Sequence, residues 1–195
     1  MTDSAAVRER VLFLAQQEEE WLNAHFPPAG GEIPRPAMAE AVRIGRRWAE
    51  EAWNFGEDTE TNLYRMGVKG IRWMSQMEEC AFAARALYDP QTAQIQVSKS
   101  RLEEMEEIQQ TLGVALFSPQ ALYDRLLAHE CFHHLEEVRG VCLDEALAEG
   151  GALPPSVRDV GAHAFSNFIF CRPFCQTIDL VWLAGRRPEM LAEPG

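Results

Sequence analysis

No stretch of this chain approaches the roughly twenty consecutive apolar residues that a membrane-spanning helix needs. The opening residues, MTDSAAVRERVLF, lack the basic-then-apolar layout of a secretory signal, so the expectation is a soluble, cytoplasmic protein with no membrane partner. Positive charge is scarce as well: 18 Lys and Arg stand against 30 Asp and Glu, a formal net charge of -12. A phosphate backbone requires a basic face, and here the basic residues are scattered among acids, which argues against a nucleic-acid partner. The five cysteines, Cys80, Cys131, Cys142, Cys171 and Cys175, are odd in number and form no regular framework, as suits reduced thiols. No internal repeat or low-complexity segment interrupts the chain, and its length suits one well-buried domain.

What is present is mostly helical punctuation. Residues 5 to 25 read as a helix with Val7, Val11, Leu14, Trp21 and Leu22 as apolar positions, broken at Pro27-Pro28-Ala29-Gly30-Gly31. A second helix starts near Pro36, passes through Ala41, Ile44, Trp48 and Ala52, and stops at Asn54-Phe55-Gly56. Ala81 to Tyr88 and Ala93 to Val97 are β-compatible runs on either side of the turn Asp89-Pro90-Gln91-Thr92, a hairpin whose second arm alternates as an edge strand does. An acidic helix follows over 99 to 111, with Leu102, Met105 and Ile108 at helical spacing. Ser118 as N-cap, Pro119 at the first helical position and Gly140 as stop bracket a helix over 119 to 139. Leu143 to Glu149 reads as a helical turn before Gly150-Gly151 and Pro154-Pro155, Val157 to about Phe170 as the last strong helix, and the chain from Arg186 onward as a frayed tail.

The helix over 119 to 139 carries His129-Glu130-Cys131-Phe132-His133, the HExxH pattern of zinc peptidases. Residues four apart share a helix face, so His129 and His133 can direct imidazole nitrogens at one ion. Glu130, beside that face, can reach a metal-bound water and serve as its base. His134 points about a third of a turn away, toward a supporting hydrogen bond or solvent, and is not counted as a ligand. A catalytic zinc takes three protein ligands and an open position, so a third ligand must come from elsewhere. A histidine six residues after His133, as in metzincins, would fall at Arg139, which excludes that class. Asp159 and His163, again four apart, are the candidates, with Glu145 and Glu149 behind them. Asp159 has a structural alternative as a capping acid in Ser156-x-x-Asp159.

The segment Asp159, Ala162, His163, Phe165, Ser166 resembles the Glu-x-x-Ala-Asn-x-Phe-Ala helix of the ImmA/IrrE-type zinc metallopeptidases, which follows their HExxH helix. The likeness covers roughly residues 80 to 171. It implies a zincin-like α+β fold, mostly helical with a small antiparallel sheet beside the motif helix, and Asp159 in the place of the family's third-ligand glutamate. The chain departs from the pattern in having Asp at 159 and His at 163 where the family has Glu and Asn. The resulting expectation is a single domain over 1–195, with residues 1–79 as a helical N-terminal cover, 80–171 as the metallopeptidase core and 172–195 as a C-terminal tail. The expected function is zinc-dependent hydrolysis of a peptide or protein substrate, with His129, His133 and Asp159 on Zn2+, Glu130 as base, and His163 as alternative ligand or transition-state donor. The rivals are a catalytically silent metal-binding domain that acts as a protein-interaction module, and a metal-free helical scaffold.

Overall fold

The computed structural model describes residues 4–18, 21–23, 33–82, 84–148, 156–171 and 174–191. The expected breaks at 27–31, 150–151 and 154–155, and Glu149, lie outside these residues. Helix α1 spans Ser4–Leu14, α2 Arg35–Ala52 and α3 Thr59–Met66. Then come strand β1 (Gly70–Trp73), the short helix α4 (Gln76–Ala81), and strands β2 (Ala86–Asp89) and β3 (Gln94–Val97). The second half is helical: α5 (Lys99–Leu112), α6 (Pro119–Arg139), α7 (Leu143–Ala146), α8 (Ser156–Phe170), α9 (Phe174–Arg186) and a 3-10 turn at Pro188–Leu191. The architecture is α+β, mostly helical with one small sheet.

Local chemistry accounts for the bounds of the central helix. Ser118 accepts a hydrogen bond from the Ala121 N–H, Pro119 supplies a preset φ where no N–H partner is needed, and Gly140 closes α6 at φ 63°. The helix expected over 5–25 instead ends at Leu14, where the Gln17 side chain donates to the Phe13 carbonyl and satisfies the helix end.

The sheet corrects the expectation of an antiparallel hairpin alone. Its order is β1-β3-β2: β2 and β3 pair antiparallel, but β1 joins β3 in parallel, Gly70 opposite Gln94 through Trp73 opposite Val97. β3 is therefore the central strand and not an edge. β2 is an edge, and the Ser98 N–H to Arg85 carbonyl bond sets its phase, leaving the N–H and C=O of Ala86 and Tyr88 on the unpaired side. That side faces α6.

Among the described residues before position 80, apolar side chains of α1, α2 and α3 belong to the same buried cluster as the motif helices. One cluster of buried apolar side chains runs from Val7 through Trp48, Phe132 and Phe165 to Leu191. α2 lies backbone-to-backbone on α8: a Cβ on Gly45 would come within 2.2 Å of the Gly161 carbonyl oxygen. Trp48 then packs on Phe132 with its ring tilted, and Trp53 meets Phe165 edge to face. The described part of the expected tail, residues 174–191, is docked as well: α9 buries Ile178, Leu180, Val181 and Ala184, and the turn after it buries Leu191. Its apolar stripe was hidden by Gly185-Arg186-Arg187-Pro188, which reads as a terminus.

Candidate metal centre

α6 sets His129 and His133 one turn apart with ring centroids 5.2 Å from each other. α8, crossing beside it, brings Asp159 to both: its Oδ1 lies 3.8 Å from His129 Nε2 and 3.7 Å from His133 Nε2. The three ligand atoms all fall within 4.8 Å of one another. Ligands about 2.0–2.2 Å from a shared tetrahedral ion stand roughly 3.3–3.6 Å apart, so Asp159 lies slightly farther from each histidine than it would in a loaded site. Two imidazoles and one carboxylate so placed can hold a metal ion.

Of the two third-ligand candidates, Asp159 belongs to this cluster. His163 sits beside it, its ring 5.1 Å from that of His129, while its Nε2 lies 3.8 Å from Asp179 Oδ2 on α9. The capping alternative for Asp159 is not what forms, since the carboxylate faces the histidines and Ser156 Oγ is buried with no hydrogen-bond partner among the described residues. Glu145 is exposed on α7 and outside the cluster, Cys131 is packed in the core, and Cys171 is exposed.

Glu130 is buried and held from above by the sheet: its Oε2 accepts the Tyr88 N–H at 2.8 Å. Burial raises its pKa and the Asp159 charge adds to this, against the opposing pull of His133, the Tyr88 N–H and Arg85. Burial also drives the pKa of His129 well below its ordinary 6.5, helped by neighbouring His163, His133 and Arg85, so this imidazole is neutral and its lone pair is free to ligate. At His133 burial pulls the same way but is outweighed by the hydrogen bond with Glu136 and the charges of Glu130, Glu136 and Asp159, and its pKa rises.

Glu136 is the residue that sequence reasoning missed. It is 2% exposed as a side chain, and it meets His133 Nδ1 at 2.9 Å, the Leu143 N–H at 3.1 Å and Arg158 Nε at 3.0 Å. A carboxylate only accepts, so the proton of neutral His133 sits on Nδ1 and Nε2 presents its lone pair toward Asp159. Burial alone would raise the Glu136 pKa, but these partners together lower it. The signal was available as a glutamate three residues after His133, on the same helix face. Arg85 and Asp179, an ion pair joining the residue before β2 to α9 beside His163, were also not foreseen.

Comparison with family models, with curated proteins and with solved structures finds no match to this chain. What the arrangement can do is therefore read from its chemistry. The two histidines are about 15% exposed and Asp159 43% exposed, so one flank of the triad is open to a solvent molecule or a ligand. The donor set, the fixed tautomer of His133 and the neutral His129 all fit a divalent ion with an open coordination position.

Proposed function

We propose that the protein is a zinc-dependent peptidase of the ImmA/IrrE type, acting on a peptide or protein substrate in the cytoplasm. The observation that carries this reading is the placement of Glu130 one residue around α6 from a three-ligand cluster that is open on one flank. Zinc, when bound, supplies Lewis acidity and lowers the pKa of water. Glu130 takes the proton from the attacking water, and its burial, which raises the carboxyl's pKa, makes it a stronger base for that purpose. Its Tyr88 N–H bond aims the carboxylate.

The test is zinc content and hydrolysis of a quenched fluorescent peptide pool by wild type, Glu130→Gln, and the double variant His129→Ala, His133→Ala. About one zinc per chain is expected in wild type and in Glu130→Gln, and none in the double variant. Hydrolysis should drop at least ~100-fold in Glu130→Gln. Full activity in that variant, or no zinc in wild type even after reconstitution, would sink the reading. A closed, catalytically silent site is favoured by one observation, the His163 ring 5.1 Å from His129, since a small shift would make it a fourth ligand. That arrangement predicts weaker zinc in His163→Ala and no inhibitor binding, whereas the open site predicts unchanged zinc and binding of a hydroxamate.

A further inference from the structure

Tyr88 is held at both ends. Its hydroxyl oxygen lies 2.9 Å from His134 Nδ1, and its backbone N–H donates to Glu130 Oε2 at 2.8 Å. His134 in turn sets its Nε2 3.1 Å from the carbonyl oxygen of Met66. A carbonyl only accepts, so Nε2 carries the imidazole proton, Nδ1 is the acceptor, and the tyrosine hydroxyl donates to it. The rings meet edge to face at 5.2 Å, and both residues are buried, so water does not compete for these bonds. Met66 is the last residue of α3, and Gly67 turns the chain there at φ 106°, a left-handed conformation that brings the carbonyl against the imidazole.

The sequence His129 to His134 thus contains two pairs of residues four apart, offset by one position. His129 and His133 face α8 and the metal cluster. Glu130 and His134, about 100° around the helix, face the strand, and a single residue of β2 bonds to both. The strand needs such a hold. β2 is four residues long, has a neighbour on one side only, and leaves the Tyr88 N–H without a strand partner.

We propose that Tyr88 and His134 are positioning residues that pin β2 to α6 and thereby set the orientation of Glu130. This rests on the reading of Glu130 as the base. Neither side chain touches the reacting atoms; each acts through the N–H that the carboxylate accepts. His134 stays neutral in this role, with a donor on one side and an acceptor on the other.

The experiment uses the zinc-loaded chain of residues 1–195 in four forms: wild type, Tyr88→Phe, His134→Leu and His134→Gln. Tyr88→Phe removes one hydroxyl, His134→Leu removes both ring hydrogen bonds, and His134→Gln restores one acceptor and one donor. In Tyr88→Phe and His134→Leu, kcat should fall roughly tenfold or more with KM and bound zinc unchanged, and His134→Gln should recover it to within about threefold. A second readout needs no activity. Exchange of the residue 88 amide, followed by NMR in metal-free and zinc-loaded protein, should quicken roughly five- to tenfold in the first two variants and not in His134→Gln. If wild type hydrolyses nothing, the peptidase reading fails while amide exchange still judges the clamp. Unchanged kcat with unchanged exchange, or losses that His134→Gln does not recover, would overturn the proposal. A loss of kcat that merely follows lost zinc would overturn it too.

Discussion

Among single side chains that are not ligands, Glu136 should matter most to a bound metal, because it dictates which nitrogen of His133 is free and holds the ring in place. Glu136→Gln is expected to weaken zinc binding roughly 10- to 100-fold in a chelator competition, with the fold retained. The same contact sets the pH response. A proton on His133 competes with the ion, and its pKa lies above the ordinary 6.5, whereas that of His129 lies well below. Zinc affinity should therefore begin to fall on acidification while the pH is still above about 6.5, and removing the Glu136 charge should move that onset to lower pH. Glu130 acts in the opposite sense on the metal-free fold. Its raised pKa means that its contribution to stability is present below the ordinary 4.5 and is lost as pH rises through the higher folded value. Metal-free Glu130→Gln should accordingly melt above wild type at about pH 7 and together with it near pH 4, as followed by circular dichroism.

Elements differ in how openly the sequence announces them. α6 was legible to the residue, since Ser118-Pro119 and Gly140 are chemical stops and not merely statistical ones. So were Glu130 and the two motif histidines, because the helix period alone places them. β1 was invisible: four residues, Gly70–Trp73, carry no alternation of their own and are strand only through a parallel partner some two dozen positions later. For the same reason β3 passed for an edge, and Asp159 could not be separated from His163 until the crossing of α8 over α6 decided which faced the histidines. That crossing depends on small residues. A Cβ on Gly161 would stand 2.7 Å from Phe132 Cζ and 2.8 Å from Leu143 Cδ1. Gly161→Ala should therefore cost about 1–3 kcal/mol, lowering Tm by several degrees, and should weaken zinc binding as α8 is pushed away from α6. Unchanged zinc affinity in a folded Gly161→Ala protein would show that the helix spacing does not set the ligand distance.

At the scale of the whole molecule, the N-terminal helices are not a removable lid. The buried cluster joins α1, α2 and α9 to the motif helices, and β1 is the second neighbour that makes β3 a central strand. A fragment of residues 80–171, which the resemblance alone would mark out as the core, is expected to lack cooperative unfolding and dispersed NMR signals, while the full chain shows both. The sequence pattern did not reveal this dependence because α2 contributes a glycine, Gly45, at the closest point, and a residue without a side chain adds nothing to an apolar stripe. The bare backbone at Gly161 also bears on the shortened acid two positions before it. A carboxylate one methylene short of glutamate reaches the histidines only if its helix sits closer, and the missing methyl at 161 is what lets it. Positions 159 and 161 should then vary together across descendants of a common ancestor: aspartate with glycine, glutamate with alanine, and seldom the mixed pairs.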